Sequence, residues 1–170
     1  MIHVLKRTAV FVAIVLAWAL PAAAANAATR NVVSFSGFSP GTIVVKTHER
    51  HLYYVLDGGR ALRFPVGVGK SGWRWRGHAR IESKYVRPAW QAPPELAHGH
   101  YGPIIPGGSP RNPLGEAALT LRGGDYAIHG TNNPASIGGF VSHGCIRMYN
   151  RDIRELYRLV NVGTPVVVQR

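Results

Sequence analysis

Cysteine is nearly absent from this chain: Cys145 is the only one in 170 residues, so no disulfide can form within it. Long apolar runs are missing too, apart from one near the start. There, Lys6 and Arg7 precede an uncharged stretch from Thr8 to Leu20 and then the small-residue tract PAAAANA, the layout of an export signal over residues 1–27 with cleavage after Ala27. That stretch is short for a bilayer-spanning helix, and no cysteine follows it to carry a lipid. No stable membrane span is therefore expected once the signal is removed. Export leads to an oxidising cell envelope or periplasm, where a lone thiol is either buried or required by function.

Acidic residues are also scarce, eight against twenty Lys and Arg, giving a formal charge of +12, of which Lys6 and Arg7 belong to the signal. A field of that sign concentrates anionic partners and weakens with salt. No stripe of basic residues alternates with aromatics as in a nucleic-acid module, so nucleic acid is not the expected partner. An anionic envelope polymer fits better, and a merely well-solvated surface is the bland alternative. Few carboxylates also weigh against a metal hydrolase. On a strand, His98 and His100 would project the same way, but a third ligand and a carboxylate base are needed and only Glu95 is near, so neither metal nor cofactor is expected. Gly67, Gly69 and Gly72 satisfy a GxGxxG spacing with no helix pattern after them, which removes the phosphate-binding reading.

Helical periodicity is rare. It occurs at Ile153, Leu156, Tyr157 and Val160, with Asn150 placed to cap the amino end and Asp152 in the first turn. Elsewhere β-branched and aromatic runs alternate with glycine turns: Thr42–Thr47, His51–Leu56, Asp57-Gly58-Gly59, Ala61–Val68, Ala117–Leu121, Tyr126–His129 and Thr164–Gln169. Trp73 and Trp75 alternate with Arg74 and Arg76 as on a strand or hairpin tip, with aromatic packing as the simplest role. Pro88 to Gly115 is rich in Pro and Gly, a long irregular stretch of the functional or mobile kind. The expected fold is mainly β, an antiparallel sandwich or barrel with one amphipathic helix after Cys145. Residues 28–39 read as a linker or irregular start and 40–170 as one domain.

The chemistry concentrates in Tyr126–Asn150, YAIHGTNNPASIGGFVSHGCIRMYN. Cys145 lies there with His129 and His143, a glycine beside each. A thiol attacks a carbonyl as thiolate, so it needs a base, and glycine lets the carbonyl come close. Free cysteines are commonly core fillers, but Ser142-His143-Gly144-Cys145 is a polar turn. His129, at a strand end, is the favoured base, because His143 sits two residues before the sulfur and is poorly angled to reach it. Backbone N–H groups around His143, Gly144 and Cys145 are the candidates for stabilising an acyl oxyanion. Ser142 is expected to hydrogen-bond within the turn. Arg147 offers a fork for a carboxylate, with a structural salt bridge as the alternative.

IHGT, a glycine-containing loop and SHGCIRM followed by Asn resemble the signature of the L,D-transpeptidase catalytic domain, the YkuD or ErfK/YbiS family. PGTIVVKTHERHLYYVLDGG and VGTPVVV extend the resemblance more weakly from about Pro40 to Val168. It implies a β-rich domain with Cys145 and His129 at one end of the sheets, Cys145 being the nucleophile. Some members carry Ser directly after the base; here Gly130 stands there, and its backbone carbonyl is expected to orient the ring. The implied activity is peptidoglycan L,D-transpeptidation in cell-wall biogenesis and cell shape. Cys145 attacks the stem-peptide carbonyl at the L-centre of the third residue, releases D-Ala and holds a thioester. An amine then takes the acyl group, from a neighbouring stem as a 3–3 cross-link or from an outer-membrane lipoprotein. A wall cysteine hydrolase and a non-catalytic basic wall-binding module are the alternatives. In the family a loop over the groove acts as a lid.

Overall fold

The computed structural model describes residues 32–123 and 126–170. The expected export signal lies outside them, as does half of the turn expected at Arg122–Asp125. The described strands are β1 (Val32–Ser34), β2 (Ile43–Lys46), β3 (His51–Leu56), β4 (Arg60–Gly69), β5 (Gly77–Val86), β6 (Trp90–Gln91), β7 (Ile104–Ile105), β8 (Ala117–Leu121), β9 (Ala127–His129), β10 (Phe140–Ser142), β11 (Ile146–Met148) and β12 (Pro165–Gln169). Helix α1 (Asn150–Leu159) lies between the last two.

Eight strands close into a barrel in the order β4-β11-β9-β8-β5-β12-β2-β3, with β3 returning to β4. Closure leaves no long open edge in an all-β domain. The pairings are not all antiparallel: β11 runs parallel to β9 and β12 parallel to β2. A local pattern of strand and turn announces hairpins, whereas a parallel neighbour arrives by a long crossover that leaves no local mark. β5 carried no such mark either. His78, Arg80 and Glu82 alternate with Ala79 and Ile81, but only Ile81 of these is fully buried, so its apolar signal is thin.

Alternation along the strands fills the barrel. Val66 and Val68, Ile146 and Met148, and Val166 and Val168 point inward beside Phe64, Leu52 and Leu119. The outer face of β2 and β3 is covered as well. Within the segment expected as a linker or irregular start, β1 pairs with β4, and Val33, Phe35 and Phe38 pack on Val44, Tyr53 and Val55. That is why Ile43, Val44 and Val45 are all buried in succession.

Helix α1 lays Ile153 and Leu156 against the core. Lys84 donates to the carbonyls of Tyr157 and Val160, satisfying acceptors at the helix end where a cation is favoured. Asn150, expected as the cap, does not cap: no side-chain bond closes the amino end of the helix.

The Pro- and Gly-rich stretch is built around one amide. Asn112 is 1% exposed. Its Nδ2 donates to the carbonyls of Pro88 (2.9 Å), Ile105 (3.2 Å) and Pro106 (3.2 Å), and its Oδ1 accepts from Leu114 N–H at 2.9 Å. β6 and β7 form a two-stranded ribbon within the same stretch. His98 and Gly99 lie in a turn with φ of 54° and 88°, so the strand geometry that would set His98 and His100 side by side is missing. Asn112→Ala strands these carbonyls, and we expect urea unfolding to show a loss of about 2 kcal/mol. Asn112→Asp should lose a comparable amount, since a carboxylate cannot donate.

Candidate active site

β9 and β11 set the positions of the candidate site residues. They pair in parallel with Ile128 beside Ile146 and His129 beside Arg147. Both isoleucines enter the core. By alternation, His129 and Arg147 take the other face, and Cys145, directly before β11, falls in step with Arg147. Cys145, sixteen residues after His129, thus stands directly before the strand that lies beside β9.

His129 is 4% exposed, and its Nδ1 donates to the Gly130 carbonyl at 2.6 Å. A carbonyl only accepts, so Nδ1 holds the proton and Nε2 carries the lone pair. Burial pushes the His129 pKa down to about 4, and Arg147 pushes the same way. The backbone carbonyls of Gly130 and Pro113 oppose them. The ring is therefore neutral at ordinary pH, able to receive a proton rather than to stabilise a preformed thiolate by charge.

The turn before Cys145 is tied by Ser142, 2% exposed, whose Oγ donates to Cys145 O at 2.6 Å and accepts Gly144 N–H at 3.2 Å. That bond commits the Gly144 N–H, one of the expected oxyanion donors, to the turn itself. His143 is placed differently from His129. Its ring meets Trp73 edge-on at 4.8 Å, and partial burial, Lys70 and Arg147 all lower its pKa. No carboxylate of the described residues pairs with Arg147.

Three contributors had not been read as part of the site. Trp75 stacks on Tyr126 at 5.3 Å and donates Nε1–H to Gly144 O at 3.1 Å. Because N–H and C=O point opposite ways across a trans peptide, Trp75 turns the Cys145 N–H away from itself. Tyr126 lies so close to Gly144 that an added Cβ would overlap its ring, and φ there is +113°. The third is Asn150: its Oδ1 accepts from Glu116 N–H and Thr131 N–H, each 3.1 Å, and Nδ2 donates to Thr131 O at 3.0 Å. The Trp-Arg alternation at 73–76 was the available signal for Trp75; Tyr126 and Asn150 stood at the two ends of the stretch singled out, with no role at the site given to either.

Known proteins resemble this chain in sequence and in fold. Residues 40–168 match the sequence profile of the L,D-transpeptidase catalytic domain, YkuD. YbiS of Escherichia coli K12, named a probable L,D-transpeptidase, is 38% identical over 136 residues, covering 73% of this chain and 43% of YbiS. The chain thus spans under half the length of that relative. The ORF 5 protein of the ATP synthase subunits region of Fuscovulum blasticum is 38% identical over 164 residues, covering 88% of this chain and 86% of that protein. Among solved structures, the ertapenem-acylated catalytic domain of an Enterococcus faecium L,D-transpeptidase superposes with a TM-score of 0.60 at 23% identity, covering 78% of this chain and 99% of that one. That likeness shows the fold.

The buried imidazole carries a pH signature. His129 moves from an ordinary value of 6.5 to about 4 on folding. The unfolded chain therefore takes the proton first as pH falls, and stability is full above about 6.5 and lost progressively down through about 4. Urea unfolding near pH 7 and near pH 4 should show the parent losing on the order of 3 kcal/mol more than His129→Asn does. Equal losses would mean that the ring is not buried as described.

Proposed function

The chain belongs to the L,D-transpeptidase catalytic domain family, and from that premise we propose that it is an exported peptidoglycan L,D-transpeptidase acting in the cell envelope. The observation that carries this reading is the Nδ1–H bond of His129 to Gly130 O, which leaves Nε2 as a base on the strand beside the one that Cys145 precedes. Cys145 gives its proton to Nε2, and the sulfur attacks the stem-peptide carbonyl at the L-centre of the third residue. A tetrahedral oxyanion forms. As it collapses, the bond to D-Ala breaks, and His129 returns the proton to the departing amine.

The thioester left on Cys145 is then attacked by an acceptor amine, whose proton passes to His129 before the thiol is released and reprotonated. A neighbouring stem as acceptor gives a 3–3 cross-link, and a lysine of an outer-membrane lipoprotein gives an anchored protein. The Cys145 N–H, directed away from Trp75, and the His143 N–H are the donors proposed for the oxyanion. Arg147 suits the stem carboxylate, and the net positive charge of the chain draws an anionic wall polymer toward the site.

Purified muropeptides test this with mass spectrometry. The parent should yield cross-linked dimers and release D-Ala, Cys145→Ala should fall to background, and His129→Gln should lose roughly 100-fold or more. Shortened monomers without dimers would instead make the protein a hydrolase. An alanine variant that processes muropeptides as fast as the parent would remove Cys145 from the reaction altogether.

A further inference from the structure

Asn150 opens α1, yet its carboxamide serves the loop after His129 and not the helix. The bond that matters chemically is the one from Thr131 N–H to Asn150 Oδ1, 3.1 Å. That N–H belongs to the same peptide unit as the Gly130 carbonyl, and in a planar trans peptide the two point in opposite directions. Asn150 holds one end of the unit; His129 Nδ1 binds the other at 2.6 Å. The second arm, Nδ2 to Thr131 O at 3.0 Å, continues the pairing beyond the last residue of β9. We infer that Asn150 is a positioning residue, fixing the tautomer and ring orientation of His129 through the single Gly130–Thr131 peptide.

The fit around the carboxamide supports this. A Cβ at Gly130 or at Gly115 would overlap Asn150 Oδ1, so both backbones close on that oxygen only because neither has a side chain. Glu116 N–H reaches the same oxygen from the start of β8, beside Ala117, whose carbonyl accepts Gly130 N–H at 3.0 Å. Gly130 is thus held at its N–H by β8 and at its carbonyl side by Asn150. A purely structural clamp would join these loops without affecting the imidazole. The inference rests on reading His129 as the base, and it assigns Asn150 a place one peptide removed from the reacting atoms.

Nitrogen-15 NMR of the histidine rings distinguishes the two roles, with the His129 signals assigned by comparison with His129→Gln. The parent should show the Nδ1–H tautomer. Asn150→Ala should show a tautomer mixture, and kcat on muropeptide should fall at least about tenfold, a fraction of what a positioned base contributes, with KM little changed. Asn150→Asp keeps an acceptor for Thr131 N–H and should recover the Nδ1–H tautomer and most of the rate.

Retention of the parent tautomer in Asn150→Ala overturns the inference, whatever that variant does to stability. Should the alanine variant not fold, Asn150→Asp decides alone, and loss of the Nδ1–H tautomer in the folded aspartate variant overturns it. If His129→Gln turns over muropeptide as fast as the parent, the base reading fails instead, and the tautomer measurement still judges the coupling of Asn150 to the ring.

Discussion

The hydrogen bond from His129 Nδ1 to the Gly130 carbonyl decides which ring nitrogen can act as a base, and much of the surrounding structure serves to hold it. An imidazole has two possible neutral forms of similar energy, and only a fixed acceptor selects one. Here the acceptor is main chain, so its direction depends on backbone that must itself be fixed. β8 accepts the Gly130 N–H, and Asn150 takes the next N–H along. A side chain at Gly130 would collide with the Asn150 carboxamide, so replacing the backbone acceptor by a serine at this position would need that carboxamide to move.

The barrel supplies the second requirement, that the proposed base and nucleophile are placed by different strands. A parallel pair needs a crossover, and residues 130–145 provide it between β9 and β11. They do so without a helix, through a 3-10 turn at Pro134–Ser136 and through β10, which lies parallel to β4. The crossover ends in the turn that Ser142 ties from within and that Trp75 and Tyr126 press from outside. His129 and Cys145 therefore stand where a loop meets a strand.

How far this was legible in the sequence depends on the range of each interaction. The lone Cys145 in a polar glycine turn, the upstream His129 and the β-rich class were all readable, because residue type and local pattern carry them. The Gly130 carbonyl was expected only from the family resemblance, which implies a third group beside the histidine where this chain has glycine. Asn150 was misread as a cap because position before an amphipathic helix is a local cue, while its true partners are 19 and 34 residues away. Trp75 reaches Gly144 across 69 residues, and only the closed barrel brings them together. The parallel pairings and the short β1 were hidden likewise, since no turn announces a partner that arrives from far along the chain.

Burial and charge act on the same ring, and their ranking matters for the proposed chemistry. Desolvation is the largest influence on His129 and Arg147 the main charge that lowers its proton affinity. A substrate carboxylate seated on Arg147 would neutralise that charge while leaving the burial in place. Proton affinity at Nε2 would then rise when substrate binds, strengthening the base at the moment the thiol must lose its proton. In the free protein, burial and the Arg147 charge together keep the ring neutral.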